Sequence, residues 1–164
     1  MTEGSLMQEG DPELVASRMG WINDHLQTYL ADGTKAHFVD IRDMGGYEFT
    51  QTLLLKTIGR KSGRPLIVPL LYGLYGDEVI IAGSKGGHPQ HPAWFLNLQE
   101  QKEITFQIVE DRFIGPWRLA EGAERAKLWE YLVSLYPPYA DYQMITEREI
   151  PVVALTRRAK IDAL

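Results

Sequence analysis

The sequence predicts an α+β fold that is mainly β: a small closed or half-open barrel of about six mostly antiparallel strands with peripheral helices. Thr52 to Ile58, Leu66 to Tyr72 and Val79 to Gly83 read as strands joined only by short polar turns. No helix intervenes, so these three are expected to form an antiparallel meander. Ile104, Phe106 and Ile108 alternate with Thr105, Gln107 and Val109, and Phe113, Gly115, Trp117 and Leu119 repeat the pattern after Glu110-Asp111. That period of two predicts a second hairpin, and Pro151 to Leu155 supplies a last strand.

The first ten residues read as a tail, and 11–164 as one domain. A helix is expected over 11–32, with Asp11 as N-cap, Pro12 at the first helical position, and Val15, Met19, Ile22, Leu26 and Tyr29 spaced by threes and fours. Thr34 to Phe49 is irregular, with a turn at Met44-Gly45-Gly46-Tyr47. Pro92 opens a short helix carrying Trp94, Phe95 and Leu98; a longer one runs from Ala123 to Leu135 and stops at Pro137-Pro138.

A chain of 164 residues makes one core. Its net charge of -5 speaks against nucleic acid as partner, which calls for a basic surface. Cysteine is absent, so there is no disulfide framework or thiolate metal site, and no apolar run nears the ~20 residues of a membrane span. Met1-Thr2-Glu3-Gly4-Ser5 lacks the pattern of a signal peptide, which suggests a cytoplasmic protein. Glu9, Asp11 and Glu13 make the N-terminal helix a packed element that associates at most weakly with the inner face of a membrane.

Two turns combine glycine, hydroxyl and fixed positive charge: Gly59-Arg60-Lys61-Ser62-Gly63-Arg64 and Ser84-Lys85-Gly86-Gly87. Such turns hold anions through backbone N–H groups and charge-assisted bonds. Neither is a Walker loop, and whether they share one rim is not decided by sequence. His88 and His91 are each followed by a proline, Pro89 and Pro92, which disfavours a helical presentation, and they lack a neighbouring carboxylate, so no metal is expected. No Gly-x-Ser-x-Gly elbow is present for nucleophilic hydrolysis. Tyr136, Tyr139 and Tyr142, spaced by threes around Pro137-Pro138, either cap the core or wall an aromatic pocket.

The set Leu53-Leu54-Leu55, Gly59-Arg60-Lys61-Ser62-Gly63, Pro69-Leu70, Ser84-Lys85-Gly86-Gly87, Pro92 with Trp94, Leu96-Asn97-Leu98, Tyr136-Pro137, Tyr139, Asp141-Tyr142-Gln143 and Ile150-Pro151-Val152-Val153 resembles the deazaflavin-dependent nitroreductases. These are split β-barrel proteins that use coenzyme F420. The ordered match spans about residues 50 to 155.

The resemblance implies a cofactor held by Gly59, Arg60, Lys61, Ser62, Pro69, Ser84, Lys85, Gly86, Gly87, Pro92, Ala93, Trp94 and Asn97. Pro92 to Trp94 would lie against the deazaflavin ring. Tyr136, Tyr139 and Tyr142 would line the substrate side, with Tyr136, Tyr139 and Ser84 as the catalytic candidates. The implied reaction is hydride transfer from reduced F420 to a quinone, nitroaromatic, activated enone or lactone. Because the cofactor carries the hydride, no acid–base dyad has to appear in the chain. The alternatives are an FMN-dependent split-barrel oxidoreductase and a non-catalytic carrier of cofactor or lipid. The partner is a small-molecule electron acceptor, and the protein a monomer or homodimer. Leu66, Leu71 and Lys56 depart from the usual pattern, and the pair His88 and His91 has no counterpart in it.

Overall fold

A computed structural model describes residues 20–164. The expected tail and the Asp11-Pro12 helix start lie outside them. The described part of the first helix, α1 (Gly20–Ala31), ends where expected, and Asp32 then caps a single further turn, α2 (Gly33–Ala36), by accepting from the Lys35 N–H at 3.1 Å. Leu26 and Tyr29 bury the inner face of α1 against Leu54. The Tyr29 hydroxyl donates to the Thr52 carbonyl at 2.8 Å and accepts from the Val109 N–H at 2.9 Å, pinning α1 to the sheet.

The strands are β1 (Phe38–Val39), β2 (Thr50–Ile58), β3 (Pro65–Leu71), β4 (Gly73–Tyr75), β5 (Glu78–Ala82), β6 (Glu103–Ile108), β7 (Asp111–Leu119), β8 (Val152–Leu155) and β9 (Ala159–Ile161). All pairings are antiparallel, in the order β1-β2-β6-β7-β8-β5-β4, with β3 also on β2 and β9 on β7. Only Tyr72 separates β3 from β4, so the path returns to β2 and the sheet curls into the split barrel. The second expected strand, Leu66 to Tyr72, is β3 and pairs with β2; the third, β5, pairs instead with the additional strand β4 and with β8, so the expected three-strand meander does not form because the chain leaves the β2 edge at Tyr72.

Alternation along these strands explains their continuous apolar character. Leu53 and Leu55, Val79 and Ile81, and Val153 and Leu155 face the barrel interior; Ile80, Ala82, Val152 and Ala154 face the opposite way, under helical cover. Both faces are buried, so the runs do not alternate apolar with polar.

The helices are α3 (Ala93–Leu98), α4 (Gly122–Leu135) and α5 (Pro138–Ile145). Pro137-Pro138 ends α4, as expected. It also starts α5, because the second proline occupies a position where a missing N–H costs nothing.

Candidate active site

The Gly59 to Arg64 turn closes the β2–β3 hairpin through Gly59 N–H to the Arg64 carbonyl at 2.7 Å and Gly63 N–H to the Gly59 carbonyl at 2.8 Å. Arg60, Lys61, Ser62 and Arg64 are exposed. Among the described residues Arg60, Lys61 and Arg64 enter no ion pair. Three uncompensated cations on one turn of a net acidic chain fit an anionic ligand. The Ser62 hydroxyl oxygen accepts from the Arg64 N–H at 3.1 Å, which shapes the turn.

Asn97, 1% exposed on α3, holds this turn from beneath. Its Oδ1 accepts from the Arg60 N–H at 3.1 Å and from Arg60 Nη1 at 2.9 Å, and its Nδ2 donates to Thr57 Oγ1 at 3.2 Å. Asn97 thus acts through Arg60.

The second loop begins as β5 ends. Lys85, Gly86 and Gly87 have φ of 45°, 62° and 83°, a run of left-handed conformations that a lysine adopts at roughly 1–2 kcal/mol. A Cβ on Gly87 would lie 2.9 Å from the Tyr142 carbonyl oxygen, so the glycine lets the loop seat directly on α5. Arg148 holds the loop from its other side, with bonds to the carbonyls of Gly83, Ser84 and His88.

The two histidines have structural roles. His88 Nδ1 accepts from the Gln90 N–H at 3.0 Å. His91 Nδ1 lies 3.0 Å from Arg148 Nη1 and its ring sits 4.9 Å from that of Phe95. A guanidinium only donates, so Nδ1 accepts and His91 is neutral with its proton on Nε2. Burial first, and the Arg148 charge second, push its pKa below the ordinary 6.5. The unfolded chain then takes up the proton more readily than the folded one, so this contact contributes fully above about pH 6.5 and is lost as the pH falls below it. Thermal unfolding followed between pH 7.5 and 5 is expected to fall less steeply in His91→Asn than in the wild type. Parallel curves would remove His91 from the acid response.

Helix α3 connects the two cationic turns. It starts at Pro92, against Gly83, and reaches the Gly59 to Arg64 turn at Asn97. Five residues of helix rise less than about 10 Å, so the two cationic turns lie near opposite ends of one short helix. Pro92 is buried and Ala93 half-buried. Trp94 is 5% exposed in the barrel core, so a contact between α3 and a flat ring would come from its first backbone turn and not from the indole. Pro69 is half-buried on β3, paired with Leu54.

Tyr136, Tyr139 and Tyr142 pack ring against ring, with centroids 5.0 to 6.3 Å apart. The hydroxyls of Tyr136 and Tyr142 are 3.0 Å apart, and that of Tyr136 also donates to the Met44 carbonyl at 3.4 Å. Burial pushes the pKa of Tyr136 and Tyr139 up, and contact with Tyr142 adds to it. Both phenols therefore stay protonated at neutral pH. They line a pocket of about 160 Å³ together with Tyr47, Phe49, Gln51 and Leu132. Tyr142 backs the pocket and does not line it.

Sequence reasoning missed Arg148, Tyr47 and Phe49. Arg148 stands between Glu147 and Glu149 and reads as part of a solvated charge run. The two aromatics follow a glycine turn in the irregular stretch, where only exposure beside a pocket marks them: Tyr47 is 51% and Phe49 73% exposed.

The fold is a split barrel with two cationic turns joined through α3 and a pocket lined by Tyr136 and Tyr139. The model of the F420H2-dependent quinone reductase family matches residues 36–157, and the chain belongs to that family. It is 36% identical over 110 residues to the F420H2-dependent quinone reductase Rv1261c of Mycobacterium tuberculosis, covering 65% of this chain and 74% of that protein. A solved F420H2-dependent reductase, FDR-A, superposes with a TM-score of 0.58 at 36% identity, covering 63% of this chain and 92% of its own. A second solved relative, a domain-swapped dimer, gives a TM-score of 0.60 at 31% identity and covers 85% of this chain and 99% of its own. The protein is thus an F420H2-dependent oxidoreductase, and coenzyme F420 is its cofactor.

Proposed function

We propose that the protein reduces a quinone with reduced F420, whose anionic tail is held on the α3 rim and whose acceptor enters the Tyr136–Tyr139 pocket. The observation that carries this reading is continuity: the Gly59 to Arg64 turn meets α3 at Asn97, α3 begins beside the 84–87 loop, and that loop rests on Tyr142 next to Tyr136. Arg60, Lys61, Arg64 and Lys85 neutralise the tail, with Ser84 as a hydroxyl donor. Bound reduced F420 supplies the hydride. Quinone plus hydride plus one proton gives hydroquinone, with two electrons leaving the cofactor.

Tyr136 and Tyr139 contribute by staying protonated. The Tyr136 hydroxyl, turned from its long 3.4 Å bond to the Met44 carbonyl toward the quinone oxygen, stabilises the negative charge that develops there. Tyr142 orients the Tyr136 hydroxyl through the 3.0 Å contact. Leu132 and Leu71 exclude water from the inner wall, and Tyr47 and Phe49 offer flat apolar surface at the mouth. Nitroaromatics, enones and lactones present the same kind of acceptor oxygen and are expected as secondary substrates. The described helices include none long and apolar enough to cross a membrane, and we assign the protein to the cytoplasm.

The test is oxidation of reduced F420, followed by its absorbance, on adding a soluble benzoquinone. Tyr136→Phe is expected to lower turnover about 100- to 1000-fold, the scale of one transition-state hydrogen-bond donor, while F420 affinity stays near that of the wild type. Affinity loss without loss of turnover would move Tyr136 to the cofactor side.

A further inference from the structure

Arg148 pairs with no carboxylate among the described residues; its guanidinium is spent on one segment, Gly83 to His91. Nη1 donates to the Gly83 carbonyl at 3.0 Å and to His91 Nδ1 at 3.0 Å, Nη2 to the Ser84 carbonyl at 2.7 Å, and Nε to the His88 carbonyl at 2.8 Å. A guanidinium carries its donors in a rigid planar fork, so four points of the loop are referred to one group.

In a trans peptide the C=O and the next N–H point in opposite directions. With the Gly83 and Ser84 carbonyls aimed at Arg148, the N–H groups of Ser84 and Lys85 are aimed away from it. The left-handed run Lys85-Gly86-Gly87 is also unfavourable at its lysine, and such a conformation persists only where the surroundings over-determine it. Arg148 supplies that constraint and leaves its own charge beside the loop, paired with no acid among the described residues.

We propose that Arg148 is a positioning residue of the cofactor site, fixing the Ser84 to Gly87 loop in its anion-binding shape before F420 arrives. This rests on the assignment of that loop to the cofactor tail. Arg148 acts through the loop backbone, with His91 as the far anchor that keeps the guanidinium in plane with its carbonyl acceptors.

The experiment is F420 titration, by fluorescence, of the full-length wild type, Arg148→Lys, Arg148→Gln and Lys85→Ala, alongside hydrogen exchange of each protein without cofactor. Arg148→Gln is expected to weaken F420 binding about tenfold or more, the scale of charge-assisted bonds lost. Arg148→Lys, which keeps the charge and loses the fork, should fall between it and the wild type. The loss should appear in the KM for reduced F420 far more than in kcat, with faster exchange confined to 83–91. Wild-type affinity in Arg148→Gln beside weakened binding in Lys85→Ala would overturn the positioning role and leave the loop assignment standing. Wild-type affinity in both would overturn the loop assignment and the proposal with it. Should Arg148→Gln fail to fold, a folded Arg148→Lys that binds F420 as the wild type does would equally overturn it.

Discussion

Gly115→Ala is expected to lower stability by about 3 kcal/mol or more, which for a chain of this size is on the order of 10 °C in Tm. Gly115 sits where β7 changes partners: Arg112 to Ile114 pair with β9, and Trp117 to Leu119 with β8. The segment joining β8 to β9 crosses directly over it, fixed by Thr156 N–H to the Pro116 carbonyl and Arg158 N–H to the Ile114 carbonyl, each at 3.1 Å. A Cβ at Gly115 would lie 1.7 Å from the Thr156 carbonyl oxygen and 3.1 Å from the Arg158 nitrogen. Both obstacles are backbone, so no rotamer change relieves the clash. Gly122→Ala is the control, since Gly122 has a φ of 62° and nothing within 4 Å; only the left-handed backbone cost of roughly 1–2 kcal/mol is expected there. Thermal unfolding by circular dichroism reads both. A Gly115→Ala protein that melts with the wild type would show that the crossing segment yields without penalty.

Asn97→Ala carries the second large effect, on stability and on cofactor binding together. Removing the amide strands Thr57 Oγ1 and the Arg60 N–H beneath the turn, and each buried polar group left without a partner costs about 1–3 kcal/mol. The freed Arg60 side chain and a loosened turn should weaken F420 binding about tenfold by the same scale. Asn97→Asp separates the two consequences. It keeps acceptors for Arg60, and Thr57 can turn its hydroxyl to donate, so stability should recover relative to alanine. Its carboxylate cancels the Arg60 charge, so F420 affinity should stay low. If Asn97→Asp restored affinity along with stability, the Arg60 charge would have no part in holding the tail.

Much of the barrel was legible because its strands are apolar on both faces and bounded by polar or glycine turns, a local signal. The β6–β7 hairpin appears with its turn at Val109-Glu110, one residue before the expected Glu110-Asp111, so that Ile108 faces Asp111 across it. The missed elements are those that no local pattern specifies. β1 has two residues, β4 and β9 three each, and they exist because a neighbouring edge offers them hydrogen bonds.

The same division runs through the site. By itself the sequence determined which residue types are present: two glycine-rich cationic turns, a tyrosine triplet, and an ordered set of motifs pointing to a deazaflavin. Residue chemistry and short-range turn preference are local properties, so they can be read along the chain. It took the folded chain to show that each turn meets α3, that Trp94 belongs to the core, and that His91 and Arg148 bond to the loop. Those facts depend on contacts such as Arg60 with Asn97 and Ser84 with Arg148, 37 and 64 residues apart along the chain. Contacts at such separations are set by the closure of the whole sheet, which no stretch of the sequence displays.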